Sequence, residues 1–337
     1  MSADAPSELI VLSEAPVRRR LLANRRHVIE QVADGYRTFW AGKANVPHSL
    51  FLRFDDPRNR IIALPAFRGG DTPVAGIKWV ASFPPNHERG LRRATATMVL
   101  NSATTGFPEA FVEATHISAH RTAASAALAA KLAKANVRRV AVIGCGPIAQ
   151  ECLAYLHEVL PLSQSHIATF DLVAERAEAF AAGVRDAHPE ASVEVGTSAK
   201  AVIEAADTVL LCTTAAAPHL DDITFAPGAT VLHVSLRDLS PALIGAHRNF
   251  VDDLDHVNRA ATSIDLTAQA LGHTNFVVGS IGDLLAGAVQ AREQAEDVVI
   301  VSPFGLGILD LVVATWVVEQ ARAEGEGVTV PGFVEPT

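Results

Sequence analysis

A glycine-rich turn near the middle of the chain has the residue types and spacing of a phosphate-binding loop. The turn follows an apolar run at residues 139–143 and precedes a helical pattern at 149–159. Glycines in such a turn let the backbone approach a pyrophosphate, and the N-terminus of the next helix stabilises its charge. The pattern predicts a dinucleotide site, the alternative being an ordinary strand-to-helix turn. The residues concerned are Gly144, Gly146, Pro147, Ile148 and Ala149.

An acidic residue, Asp171, ends the next apolar run at residues 166–170. A carboxylate in this position accepts hydrogen bonds from the ribose hydroxyls of a dinucleotide and repels a 2′-phosphate. The five residues after it contain a single basic side chain, Arg176. The sequence therefore favours NAD over NADP as the cofactor. The alternative is that Asp171 caps the following helix.

Two basic side chains occupy places that suit an anionic substrate. Lys78 lies in an apolar strand pattern, where a cation is costly unless it is paired or faces a site. Arg121 opens an alanine-rich helix, and a guanidinium there can bind a carboxylate or phosphate through two hydrogen bonds. The alternatives are an edge lysine whose amine reaches solvent and a surface charge at a helix start.

One carboxylate, Asp238, is the candidate acid–base group. It follows the apolar run that ends at Val234, and sites of parallel α/β folds lie at the carboxyl ends of their strands. The alternatives are a capping aspartate or a loop ion pair with Arg237. No histidine belongs to a triad pattern, and we expect five scattered ones to be structural or peripheral: His116, His120, His219, His233 and His256.

The segments that carry these residues differ in their patterns of apolar and polar residues. Residues 138–303 alternate strand and helix patterns, which predicts a parallel sheet with helices on both faces, a doubly wound Rossmann fold. Residues 1–115 mix short strand patterns with loops, and an apolar helix near 305–323 should pack onto them. The tail from Gly325 onward is expected to be loose.

The predicted fold class is therefore α/β, with the Rossmann sheet inserted into an α+β domain. We predict an NAD-binding Rossmann domain at residues 134–304. Residues 1–133 and 305–337 together should form the substrate-binding and dimerisation domain.

Composition argues against several classes of function. The formal net charge of −9 disfavours a nucleic-acid partner, because neutralising phosphates requires a basic surface. The three cysteines form no CxxC pair, so neither a metal site nor a disulfide framework is predicted. Residues 1–16 lack the apolar core of a signal peptide, and no apolar run reaches the roughly 18 residues of a membrane span. We expect a cytoplasmic protein with no membrane contact.

In combination, these segments resemble the ornithine cyclodeaminase/mu-crystallin family over nearly the whole chain. The resemblance implies a two-domain homodimer that acts on a small anionic amino-acid substrate. It is carried by Gly76-Ile77-Lys78-Trp79, Thr105-Gly106-Phe107-Pro108, Arg121-Thr122-Ala123-Ala124-Ser125, the glycine turn and Pro303-Phe304-Gly305-Leu306-Gly307, with Asp310 beyond.

The resemblance also implies roles for individual residues. Lys78 and Arg121 would hold the substrate carboxylate, with Lys78 also catalytic, and Asp238 would be the acid–base residue beside the nicotinamide. Further substrate contacts would come from Arg53, Arg93 and Phe304. Further cofactor contacts would come from Arg121, Thr122, Asp171, Thr213, Ser235 and Leu236.

Two features depart from the family pattern. Cyclodeaminases and related alanine dehydrogenases carry Pro-Gly-Lys just after the catalytic aspartate, whereas Asp238 is followed by Leu239-Ser240-Pro241-Ala242. The family's early-strand arginine has no clear match, and Arg53 is the candidate substitute.

Residues 78–84 and 233–239 resemble instead the siderophore-pathway branch of the family. That branch implies NAD-dependent oxidative cleavage of N-[(2S)-2-amino-2-carboxyethyl]-L-glutamate to 2-oxoglutarate and L-2,3-diaminopropionate, for a siderophore or a peptide antibiotic. A cysteine-synthase-like enzyme that makes this substrate would be a pathway neighbour. The alternatives are an ornithine cyclodeaminase, a ketimine reductase or amino-acid dehydrogenase, and a non-catalytic binder like mu-crystallin.

Overall fold

A computed structural model of the chain describes residues 8–334. The strands are β1 (Glu8–Leu12), β2 (Ala44–Asn45), β3 (Leu50–Arg53), β4 (Arg60–Arg68), β5 (Val74–Ser82), β6 (Ala94–Ser102), β7 (Pro108–Glu113), β8 (Arg139–Ile143), β9 (His166–Phe170), β10 (Ser192–Val195), β11 (Thr208–Leu211), β12 (Thr230–His233), β13 (Arg248–Val251), β14 (Val277–Ser280), β15 (Val299–Ser302) and β16 (Val328–Pro331). The α-helices are α1 (Glu14–Ala23), α2 (Arg25–Trp40), α3 (Thr115–Leu132), α4 (Pro147–Val159), α5 (Ala174–Ala187), α6 (Ala199–Glu204), α7 (Pro241–Gly245), α8 (Leu254–Val257), α9 (Ser263–Leu271), α10 (Ile281–Ala286) and α11 (Gly307–Ala323).

Contacts divide these elements into two compact units. The first unit contains the residues up to Arg121 and those from Leu306 onward, and Thr122–Gly305 form the second. The predicted boundaries followed residues 133 and 304, so the first of them differs: the division falls inside α3 and not at its end. A sequence pattern locates the end of a helix, but not the place along it where the packing partners change.

The first unit is built on a mixed sheet in the order β16-β1-β7-β6-β5-β4-β2, with β3 also paired to β4. The pairing is antiparallel except between β1 and β7. The apolar helix α11 packs against β4, β5 and α2, as the sequence predicted. At Gly76 a side chain would meet the Val99 carbonyl at 2.6 Å and Leu311 at 3.0 Å, so glycine permits the close approach of this helix to the sheet.

The expectation of a loose tail is wrong for residues 328–331. They form β16, which pairs antiparallel with β1, from Glu8 opposite Pro331 to Val11 opposite Val328. A four-residue strand at a sheet edge gives a weak sequence signal, because its stability comes from a partner at the other end of the chain.

The second unit is built on a sheet of eight strands in the order β10-β9-β8-β11-β12-β15-β13-β14. Every pairing between these strands is parallel. The central strands β8, β11, β12 and β15 are almost entirely buried, as near-continuous apolar runs in parallel sheets require. The predicted Rossmann fold class is confirmed.

Among residues 8–334, no helix is long and apolar enough to cross a membrane.

Candidate active-site residues

The glycine turn joins β8 to α4 and has room for a ligand. Gly144 has φ +87°, and a Cβ there would lie 2.8 Å from the Cys212 carbonyl, so only glycine fits. At Gly146 a Cβ would meet nothing within 4 Å, which leaves open space next to the backbone. The N-terminus of α4, which starts at Pro147, has no side-chain cap. This turn fits the pyrophosphate of a dinucleotide.

Asp171 comes directly after β9 and is tied to the glycine turn. Its Oδ2 accepts a hydrogen bond from the Cys145 N–H at 2.9 Å, and its Oδ1 accepts one from the Val173 N–H at 2.9 Å. The N-cap of α5 is Val173, so Asp171 is not the cap of that helix. The carboxylate therefore lies at the carboxyl end of the strand next to the turn, where a ribose would be bound.

In the first unit, Lys78 and Arg121 share one buried carboxylate. The Lys78 Nζ donates to Asp310 Oδ2 at 2.6 Å and to the Ser118 hydroxyl at 3.2 Å. The Arg121 Nε donates to Asp310 Oδ1 at 3.1 Å. Both Lys78 and Asp310 are almost fully buried. Two cations against one carboxylate leave a net charge of about +1 for an anionic ligand.

Burial lowers the pKa of Lys78 to about 8, while the Asp310 carboxylate opposes this shift. The amine is therefore close to the point at which it can gain or lose a proton at neutral pH. Sequence reasoning placed Asp310 only as the end of a family motif, and its role as shared partner emerges from α11 packing on β5.

The structure does not bring Arg53 into contact with Lys78. Arg53 of β3 lies opposite Arg60 of β4, and Lys78 of β5 lies opposite Leu64 of β4. The two basic residues are therefore separated by about 13 Å along the strand direction. The Arg53 guanidinium is 5.3 Å from the Phe51 ring. Arg93 is half-buried, and burial lowers its pKa.

Phe304 lies in the segment after β15, and a buried aspartate fixes the backbone there. Asp252 accepts the N–H of Gly305 at 2.5 Å. Burial raises the pKa of Asp252, and the backbone hydrogen bonds from Gly305 and Phe304 oppose that shift. No local sequence pattern signals this anchoring carboxylate.

In the second unit, Asp238 is fully buried within a set of hydrogen-bond donors. The hydroxyls of Thr213 and Ser235 donate to its two carboxylate oxygens. The His233 Nε2 lies 3.2 Å from Oδ2. Burial acts to raise the pKa of Asp238, but the hydrogen bonds from His233, Ser235 and Thr213 outweigh it and leave that pKa below its usual value.

Two histidines expected to be structural or peripheral lie beside this aspartate. His233 is fully buried against it, and His219 Nε2 is 4.0 Å from Asp238 Oδ1. The backbone N–H of His219 donates to the Asp238 carbonyl at 3.0 Å, which fixes its position. Sequence spacing could not place these two histidines beside Asp238, because the loop after β11 and the end of β12 meet Asp238 only in the folded sheet.

Leu236, in the loop between β12 and Asp238, has φ +69°. A left-handed backbone conformation is costly for a leucine and persists only where the surrounding structure imposes it. The Leu236 carbonyl accepts the N–H of Ser263 at 2.7 Å. Backbone strain is therefore located two residues before the candidate acid–base group.

The second unit has a glycine turn between a parallel strand and the next helix, and an acidic residue directly after the following strand. These features define a protein of the dinucleotide-binding Rossmann class. The chain belongs to the ornithine cyclodeaminase/mu-crystallin family, because the sequence model of that family matches residues 8–325. The resemblance stated from the sequence is confirmed.

Named relatives align along most of the chain. An N-((2S)-2-amino-2-carboxyethyl)-L-glutamate dehydrogenase of Staphylococcus aureus is 29% identical over 84% of this chain and 87% of the relative. An alanine dehydrogenase of Archaeoglobus fulgidus is 28% identical over 97% of this chain and 99% of the relative.

Solved structures have the same fold. An archaeal alanine dehydrogenase dimer with bound NAD has a TM-score of 0.86 and 27% identity, covering 97% of this chain and 100% of that one. The crystal structure of CmnK has a TM-score of 0.85 and 29% identity, covering 98% of this chain and 100% of that one.

Proposed function

We propose that this chain catalyses the NAD-dependent oxidative cleavage of N-[(2S)-2-amino-2-carboxyethyl]-L-glutamate to 2-oxoglutarate and L-2,3-diaminopropionate. The observation that carries the proposal is the buried pair Lys78 and Arg121, which share one carboxylate and retain about one net positive charge. More broadly, the chain is an oxidoreductase that acts on the CH–NH group of an amino-acid-derived amine. The similarity to the Staphylococcus aureus dehydrogenase supports this substrate.

NAD is the cofactor, and when bound it accepts a hydride from the glutamate α-carbon of the substrate. The turn from Gly144 to Ala149 holds its pyrophosphate, and Asp171 holds a ribose. The remaining contacts come from Arg121, Thr122, Thr213, Ser235 and Leu236. The open space at Gly146 and the position of Asp171 beside the turn support this assignment.

Lys78 and Arg121 hold a carboxylate next to the reacting carbon. Asp310 neutralises only one of the two positive charges of Lys78 and Arg121, and a substrate carboxylate neutralises the other. The Arg121 guanidinium can donate two hydrogen bonds to that carboxylate and so fixes its orientation. The substrate carries three carboxylates in all, and Arg53 and Arg93 bind the others. Phe304 supplies an apolar wall.

Asp238 moves the protons of the reaction. Loss of the hydride with its electron pair, and of one proton from nitrogen, gives an imine; one water then adds to the imine carbon. Asp238 accepts a proton from that water and gives it to the imine nitrogen, which yields a carbinolamine. It then accepts the hydroxyl proton as the C=O bond forms and the C–N bond breaks, and returns that proton to the departing amine. Its pKa, lowered by three donors, keeps the carboxylate ionised and ready to accept a proton at neutral pH.

The test is turnover of purified chain with NAD and the synthetic amine, followed by NADH absorbance and chromatography of the products. We expect equal amounts of NADH, 2-oxoglutarate and diaminopropionate, with no products from the Asp238→Asn variant. Absence of both NADH and diaminopropionate overturns the proposal.

Parallel substrates assign the alternatives. Formation of NADH from L-alanine would indicate an amino-acid dehydrogenase. Consumption of NADH in the presence of a cyclic imine would indicate a ketimine reductase. Proline and ammonia from ornithine would indicate a cyclodeaminase. Binding of NAD without any turnover would indicate a mu-crystallin-like binder.

The first unit also offers a surface for a homodimer. Phe67, Trp79 and Phe111 lie on the sheet face opposite Lys78 and are 38–41% exposed, and Leu50 and Leu52 extend that face. A contiguous apolar face of this kind marks a protein interface. The dimeric archaeal relative supports a homodimer, and we propose that it forms by pairing of two such faces.

A cytoplasmic location is consistent with three free cysteines, Cys145, Cys152 and Cys212. The substrate contains a diaminopropionate unit joined to glutamate nitrogen, and a cysteine-synthase-like enzyme is the neighbouring activity that would make it.

A further inference from the structure

The buried imidazole of His233 lies between two polar groups at the carboxyl edge of the second sheet. His233 and Ser302 end the neighbouring strands β12 and β15. The His233 Nδ1 is 3.2 Å from the Ser302 hydroxyl oxygen. On the other side, Nε2 is 3.2 Å from Asp238 Oδ2 and also 3.2 Å from the Asp238 backbone nitrogen. All three residues are fully or almost fully buried.

The two contacts of Nε2 cannot both be hydrogen bonds in one state. To donate to the Asp238 carboxylate, Nε2 must carry a proton. To accept from the Asp238 backbone N–H, it must present a lone pair. A buried polar group without its hydrogen bond is costly, so the ionisation of Asp238 decides which contact forms.

With Asp238 ionised, the favourable arrangement has the ring proton on Nε2, donated to Oδ2, while Nδ1 accepts from the Ser302 hydroxyl. With Asp238 protonated, a lone pair at Nε2 accepts from the aspartate, and the ring proton on Nδ1 is donated to Ser302. The scheme adds one proton, at Asp238, between these states, and it needs one ring proton on the imidazole in each. The Ser302 hydroxyl serves either state because it both donates and accepts.

We propose that His233 is a positioning residue that changes tautomer with the ionisation of Asp238, so that both protonation states of the buried acid–base group are hydrogen-bonded. This inference rests on the acid–base role proposed for Asp238. A group with one fixed polarity at this position would stabilise one state and penalise the other. The Ser302–His233 pair thereby lets a fully buried aspartate both accept and return a proton.

The direct test reads the tautomer without turnover. In protein labelled with ¹⁵N-histidine, the ring nitrogen shifts of His233 identify the protonated atom, and the His233→Gln spectrum picks out its signals among the 13 histidines. We expect the Nε2–H form in the wild-type chain at neutral pH. In Asp238→Ala only the backbone N–H remains, so the Nδ1–H form is expected. The same tautomer in both proteins overturns the proposal.

A second measurement is the pH profile of kcat/KM. His233→Leu removes the donor to the ionised carboxylate and should move the acidic limb upward by about one to two pH units. His233→Gln, whose amide both donates and accepts, should restore a profile near wild type. Ser302→Ala should shift it in the same direction but less, and the exposed control His273→Gln should leave it in place. An unmoved limb in His233→Leu contradicts the proposal.

These two measurements separate the inference from the proposed function. If the wild-type chain oxidises none of the amines tested, the proposed function fails, and the tautomer comparison alone decides whether His233 responds to Asp238.

Discussion

Replacing Asp310 by asparagine should destabilise the first unit strongly, because it leaves Lys78 and Arg121 as buried cations without their shared counter-charge. Removing one partner of a buried ion pair costs about 3–5 kcal/mol. Lys78, with a pKa of about 8, can relieve part of this by losing its proton, at about 1.4 kcal/mol per pKa unit. We therefore expect a loss of about 3 kcal/mol at pH 7 and a smaller loss at pH 9.

Lys78→Met should behave in the opposite way. This substitution leaves Arg121 and Asp310 as a balanced ion pair, so the free energy of unfolding should change by about 1.5 kcal/mol or less. Loss of a charged hydrogen bond to the substrate, about 1.5–3 kcal/mol, should lower kcat/KM by about 10- to 150-fold.

The assay is urea unfolding followed by tryptophan fluorescence. Trp40, Trp79 and Trp316 all belong to the first unit, so the signal reports that unit by itself. The control is Asp34→Asn, which breaks a part-exposed pair with Arg68 at 2.8 Å and should cost about 1 kcal/mol or less.

Two results would refute the reasoning. One is an Asp310→Asn protein that unfolds at the wild-type urea concentration. The other is a loss of stability that grows between pH 7 and pH 9, since deprotonation of Lys78 can only reduce the repulsion.

Three further predictions concern charge, cofactor and assembly. The KM for the carboxylate substrate should rise above about pH 8, where Lys78 loses its proton, and Lys78→Arg should abolish that rise because arginine stays charged; a wild-type KM that is flat through this range would contradict the pKa. Gly146→Val should fill the space beside the turn and weaken NADH binding in a fluorescence titration by tenfold or more, about 1.4 kcal/mol, while thermal unfolding stays unchanged; unaltered binding would place the pyrophosphate elsewhere. Trp79→Glu should give a monomer in light scattering, because it puts a charge on the exposed apolar face. The control Leu172→Glu, at a 94% exposed position in the second unit, should leave the protein dimeric. A dimeric Trp79→Glu protein would exclude this face as the dimer interface.

The second sheet could be predicted from the sequence because its signals are local. Each buried strand is a short apolar run next to a helix pattern, and the glycine turn is recognisable within six residues. Asp171 and Asp238 were found for the same reason, since Asp171 directly follows such a run and Asp238 lies four residues after one.

The pairings that complete the candidate site could not be predicted from local patterns. Lys78 and Asp310 are 232 positions apart, and only the packing of α11 on β5 brings them together. His233 could be located at a strand end, but its contact with Ser302 depends on β12 lying next to β15. The sequence alternation does not give that strand order.

The pairing of β1 with β16 has a consequence for how the protein is made. The first sheet takes β1 from near the start of the chain and its outermost strand, β16, from near the end, with Glu8 opposite Pro331. During synthesis the second unit can therefore finish folding before the last helix and strand of the first unit have been made. Until then the edge of β1 that pairs with β16 stays exposed. The pairing of Glu8 with Pro331 also suits circular permutation: a short linker from Pro331 to Glu8, with new termini in a surface loop, would turn the split unit into one continuous segment.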